Sequence, residues 1–291
     1  MILAIPFFLA AAGAADYAGS AVCEKCHPAE YARQAESGHA HALARSKAPQ
    51  PGDWAFGAGE QAITFVTRLA PDAYLEEGRS WYRRLNAYGP TPGAASSSGT
   101  RYRTFDPAAG ILRCFSCHST GPLALSTDEA VAPHELGVRC EACHGGTAAH
   151  VRDPAKARPF NPGRLSADRL NEFCGTCHRM PAGADETPDL RNPWNARHQP
   201  LLLAESACFR RSQGKLSCLT CHSTHAPLET PVSKYDAACA GCHAGVRHGE
   251  GRPCAACHMP EVKPLPGLAF ANHRIAVYRE GDALTPVARK R

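Results

Sequence analysis

Apolar positions are continuous along this chain only at its start. Ile2 to Ala12 form an uncharged run, and small residues with an Ala12-Gly13-Ala14 pattern follow. An apolar stretch leading into a small-residue cleavage pattern reads as an export signal over residues 1–15, although the terminal amine is the only positive charge ahead of it. Ile2 to Ala15 is too short to cross a hydrocarbon core of about 30 Å, which takes about 20 apolar residues. No later segment has the length and apolarity to span a membrane. Beyond the start, the stretch from Pro28 to Ala48, rich in Ala, Glu and Arg, predicts a helix that ends before Pro49. From Gln61 to Leu85, β-branched and aromatic residues around Pro71-Asp72 predict a small β-hairpin or meander. Gly89 to Gly99 reads as a loop, and the remainder as short helical turns between Pro- and Gly-containing connections.

Composition changes what this pattern can build. Once processed, the chain would keep about 275 residues, enough for two ordinary domains by length. Yet aromatic residues are 7% of the sequence, Gly and Pro together number 49, and long periodic apolar segments are scarce. Something other than side chains is expected to fill the interior. Fifteen cysteines in an exported protein would first suggest disulfides, but the odd count and the spacing argue otherwise.

Fourteen of those cysteines fall into seven copies of Cys-x-x-Cys-His: Cys23, Cys26 and His27; Cys114, Cys117 and His118; Cys140, Cys143 and His144; Cys174, Cys177 and His178; Cys218, Cys221 and His222; Cys239, Cys242 and His243; Cys254, Cys257 and His258. Cysteines three apart lie on one face of a helical turn, where both thiols can add to the two vinyl groups of one haem. The adjoining histidine then offers an imidazole nitrogen to the iron. A closed zinc tetrahedron needs such motifs in pairs and does not explain a histidine after every one; a dithiol redox motif does not require that histidine. Seven covalent haem c groups are therefore expected. Motif starts are separated by 91, 26, 34, 44, 21 and 15 residues. Haems close in sequence must be close in space, which divides the expected cytochrome domain, 16–291, into a one-haem part (16–110) carrying the β segment and a compact six-haem part (111–291).

Eight further histidines remain: His39, His41, His134, His150, His198, His225, His248 and His273. Seven irons each have a second axial position, and methionine competes poorly, because Met180 and Met259 sit one or two residues after a proximal histidine. His39 and His41 are two apart and point to different helical faces, so one of them is expected to bind. His150 and His225 follow their own motifs by six and three residues, too close to swing across that haem, and each is expected to ligate a neighbour's iron. Cys208 is left unpaired and reads as a small buried hydrophobe.

These residues resemble the multihaem cytochromes of the cytochrome c-554/c-prime kind. The stretches that carry the likeness are AVCEKCHPAEYARQAESGHAHA, GVRCEACHGGTAAHV, RHQPLLLAESACFRRSQGKLSCLTCHSTHAP, CAACHMP and FANHRIAVY, at both ends and in the middle of the chain. The resemblance implies a fold of short α-helices and irregular loops wrapped around a haem chain, with few regular elements. It also implies distal roles for His39, His150, His225 and His273. His134, His198 and His248 follow by position and counting, and His41 is left over. Residues 49–110 match the family only loosely.

Charge modifies the partner classes. The formal surplus of +5 is offset by propionates: seven haems contribute about −7 when oxidised and about −14 when reduced, so the holoprotein runs from about −2 to about −9. Nucleic acid is not indicated. Arginines outnumber lysines 25 to seven, which suits bidentate pairing to propionate carboxylates. The function expected is exported electron transfer, periplasmic or extracellular, through closely spaced, mainly bis-histidine haems of low potential. Its redox partners would be a membrane-bound quinone-linked complex or other multihaem cytochromes, and a filament or oligomer is a further reading. The competing class is a reductase or oxidase of a small nitrogen or sulfur species at one haem with an open distal site; carriage of electrons rather than catalysis is the reading adopted.

Overall fold

In the computed structural model the described residues are 16–94, 97–106, 110–126, 130–183, 185–229, 231–246 and 251–287. The segment expected to be an export signal, 1–15, and His248 lie outside them. The first motif sits on a 3-10 turn, Ser20–Lys25, and Pro28 opens helix α1, Pro28–Ala35. The expected helix does not continue to Ala48. The Ser37 hydroxyl donates to the Gln34 carbonyl at 2.7 Å and accepts the Ala40 N–H at 3.2 Å, which closes a turn. The chain then enters strand β1, Leu43–Arg45. Antiparallel pairing of Leu43 with Phe56 overrides the local helical preference.

The β segment is larger than a meander at 60–85. Strands β1, β2 (Trp54–Phe56), β3 (Ala62–Ala70), β4 (Ala73–Glu76), β5 (Arg79–Tyr82), β6 (Ala87–Pro90) and β7 (Thr100–Arg103) form one seven-stranded sheet. Its order is β1-β2-β3-β4-β7, with β5 pairing both β3 and β6. The turn expected at Pro71-Asp72 joins β3 to β4, and Gly89 and Pro90, read as loop, belong to β6.

One sheet face presents Trp54, Phe56, Val66 and Tyr74, all buried, and helix α2, Leu112–His118, packs on it. Phe115 is fully buried there, edge-on to Trp54 at 5.0 Å and to Phe56 at 5.1 Å. Because Phe115 lies between Cys114 and Cys117, the sheet grips the second motif from inside its own turn. His118 leads directly into a hairpin of β8 (Ser119–Leu125) and β9 (Val131–Leu136) that the sequence pattern did not signal.

The rest is helical turns and loops: α3 (Cys140–Cys143), α4 (Thr147–Arg152), α5 (Ala167–His178), α6 (Gln199–Ala204), α7 (Ala207–Arg211), α8 (Cys218–Cys221), α9 (Asp236–Ala240) and α10 (Cys254–His258), then a short pairing of β10 (Glu261–Val262) with β11 (Phe270–Ala271). Helix α5 is capped by Ser166, whose hydroxyl accepts the Arg169 N–H. Its core partners are few: Ala167, Leu203 and Phe209 form the buried cluster. The C-terminal segment returns to the sheet, where the Gln61 side chain accepts the Ala269 N–H at 3.1 Å and Arg84 pairs with Glu261.

Candidate haem-binding site

All seven motifs fold as the single turn that their spacing requires. In the turns of the first, third, fifth and sixth motifs, the histidine N–H donates to the carbonyl of the first cysteine: His27 to Cys23 at 2.8 Å, His144 to Cys140 at 2.9 Å, His222 to Cys218 at 3.1 Å and His243 to Cys239 at 2.9 Å. Ser217 and Thr220 add a reciprocal capping box around the fifth.

The turns surround a continuous cavity of about 3640 Å³, several times the about 300–1,000 Å³ of a pocket for one small ligand. Its lining includes eleven motif cysteines, the six proximal histidines from His118 to His258, and His39, His198, His225 and His273. Cys23, Cys26 and His27 of the first motif are not among the lining residues, and Cys26 and His27 are exposed. Cysteine sulfurs of different motifs lie side by side: Cys23 with Cys140, Cys117 with Cys177, Cys174 with Cys218 and Cys239 with Cys254. Burial pushes the Cys114 thiol up to about 11. The unpaired Cys208 is half-buried and lines the same cavity.

Ring orientation is set by backbone carbonyls. Nδ1 of His118, His144 and His258 donates to the carbonyls of Ala42 (2.9 Å), Phe160 (3.0 Å) and Ala276 (2.8 Å). Nδ1 of His150 donates to Ala157 and that of His273 to Ala271, both at 2.9 Å. A carbonyl only accepts, so Nδ1 carries the proton and the Nε2 lone pair is free for a metal. Burial reinforces the neutral form: it lowers His39, His118, His222 and His225, and pushes His198 and His273 down to about 4. His178 opens to the cavity yet is enclosed by protein elsewhere, and that enclosure, then the His39 charge, lowers it too.

Three histidine pairs face each other across long sequence distances. Ring centres are 6.0 Å apart for His39 and His178, 6.0 Å for His144 and His225, and 6.1 Å for His222 and His273. Two imidazoles bonded to one metal from opposite sides, each at about 2 Å, place their ring centres about 6 Å apart once the half-width of each ring is included. Each pair joins a motif histidine to one outside the motifs, so the donor set fits haem iron. The other expected ligands are less gathered. His198 lines the cavity, with its Nδ1 at 3.3 Å from Asn195 Oδ1. His150 is half-buried outside the cavity lining, and His134 is exposed with its ring 5.5 Å from Tyr17. His41 is exposed.

A hollow interior ringed by attachment turns, with side-chain cores only at its margins, is the fold of a multihaem cytochrome c. The comparisons agree. Residues 81–145, which contain the second and third motifs, match the family described as cytochrome c554 and c-prime. No curated protein matches significantly. Among solved structures, the outer cell wall cytochrome OcwA is similar over 89% of this chain and 79% of its own, at 18% identity and a TM-score of 0.60. The undecahaem cytochrome from the S-layer of Carboxydothermus ferrireducens is similar over 83% of this chain but 44% of its own, at 17% identity and a TM-score of 0.42. Sequence reading had not singled out Phe115, Glu141 or the carbonyls that orient the imidazoles. An aromatic residue inside a Cys-x-x-Cys segment was the one signal available for the first; nothing local marks the others.

Proposed function

We propose that the chain is an extracellular electron carrier holding seven haem c groups, most with two histidine ligands. The observation that carries this reading is the set of facing histidine pairs, because two imidazoles per iron leave no position for a substrate. The haem supplies a reversible one-electron couple, and the protein tunes it through axial ligands, burial and nearby charge. In this reading His39 closes the fourth site opposite His178, His225 the third opposite His144, and His273 the fifth opposite His222. His134, His150, His198 and His248 are left for the other sites.

Contacts between motifs support one connected path. The first lies beside the third, the second beside the fourth, the fourth beside the fifth and the sixth beside the seventh, with neighbouring cysteine sulfurs in each case. His225, three residues beyond Cys221-His222, reaches from the fifth motif to the third, and Cys221 lies near Cys239 of the sixth. Cys26 and His27 of the first motif, at one end, and Cys254 of the seventh, at the other, are exposed. These ends are the places for a donor and an acceptor protein, whether a quinone-linked complex or other multihaem cytochromes. No helix among the described residues is long and apolar enough to cross a membrane. The likeness to a cell-wall cytochrome and the expected export signal together favour the cell exterior.

Intact-mass measurement with haem quantification tests the count: seven haems per processed chain are expected, and fewer would refute the motif reading. Electron paramagnetic resonance of the oxidised protein tests the ligation. Low-spin ferric signals should dominate, and several equivalents of high-spin iron would overturn the bis-histidine assignment.

A further inference from the structure

Glu141 occupies the first variable position of the third motif, the place that Glu24 takes in the first. Glu24 is exposed, whereas Glu141 is 3% exposed. Its carboxylate accepts the backbone N–H of Ala18 at 2.7 Å and of Gly19 at 2.9 Å, and the Thr147 hydroxyl also donates to it. Ala18 and Gly19 lead into the turn that carries Cys23, and Thr147 begins the helix that carries His150. The neighbouring Glu135 holds Ser20 in the same way, through its N–H at 3.1 Å and its hydroxyl at 2.7 Å. One side chain thus joins three segments that sequence separates: the approach to the first motif, the turn of the third and the helix of His150. The Cys23 and Cys140 thiols meet beside it.

A buried carboxylate is costly unless its acceptor sites are filled, and here they are filled by donors from the segments it joins. Burial also keeps the charge from being screened by water, so it acts strongly on groups nearby. We infer that Glu141 is a positioning residue for electron transfer: it clamps the first haem site onto the third, and its charge stabilises the oxidised form of that haem pair. The inference rests on the seven-haem reading only in requiring haem at those two motifs.

The test compares Glu141→Gln with Glu24→Gln in the full-length, haem-loaded protein by spectroelectrochemical titration, with haem count by mass. Glu141→Gln keeps the shape and removes the charge, and it should shift at least one midpoint potential positive while Glu24→Gln leaves all of them in place. Loss of a single haem from Glu141→Gln, mapped by peptide mass to Cys23 and Cys26, would also support the clamp. A titration curve superimposable on that of the unaltered protein, an equal shift in Glu24→Gln, or haem loss spread over all motifs would overturn it. Fewer than seven haems in the unaltered protein would instead be the failure of the proposed function, seen before any substitution is made.

Discussion

At the scale of single residues, the chemistry turns on which imidazoles meet. Removing His225 should leave the third iron with His144 alone, so His225→Ala is expected to convert one low-spin ferric haem to high spin. His39→Ala and His273→Ala should each do the same, while His41→Ala, at an exposed position, should leave the resonance spectrum unchanged. A spectrum of His39→Ala identical to that of the unaltered protein would break the pairing with His178. The sequence made the histidine surplus countable and showed that His225 cannot reach its own iron, because a tether of three residues is too short. It could not show the partner, since His225 and His144 are 81 positions apart and meet only through the path of the intervening chain. The same holds for Glu141, whose backbone donors Gly19 and Ala18 lie 122 and 123 positions away.

At the scale of elements, local pattern and tertiary pairing compete. Ala, Glu and Arg between Pro28 and Ala48 favour a helix, but only Pro28–Ala35 takes that form, because Leu43–Arg45 gains a ladder and a buried face by joining the sheet. β-branched and aromatic residues made Gln61 to Leu85 legible as strands; the flanking three- and four-residue strands were too short to carry a period of their own. Phe115 shows why the sheet matters to the redox half. It is fully buried against Trp54, Phe56 and Tyr74 while belonging to the second motif, so truncating it opens a cavity under that haem site. Phe115→Ala is expected to lower unfolding free energy by about 3–5 kcal/mol, read by denaturant titration of the holoprotein, whereas Phe105→Ala, at an exposed ring, should change it little.

At the scale of the whole molecule, the scarcity of aromatic residues and the 49 Gly and Pro residues already implied an interior not built from side chains. What composition could not locate is the division of labour. Eight buried residues knit the sheet to α2 and β9 into one core, whereas the buried cluster of the later half comprises three. The two regions should therefore depend differently on the cofactor. Blocking haem attachment removes the material that covers the cavity-facing walls, and a segment with few buried apolar contacts opens at low free-energy cost. Hydrogen exchange on a chain produced without haem attachment is thus expected to show protected amides in β2, β3 and β4. The segments from α5 to α10, by contrast, should exchange rapidly, and in the haem-loaded protein both regions should be protected. Protection of α5 to α10 without haem would mean that side chains alone hold the later half, and the cavity would then need another explanation. Rapid exchange in the strands as well would mean that the sheet needs the second haem site, reached through Phe115, as much as that site needs the sheet.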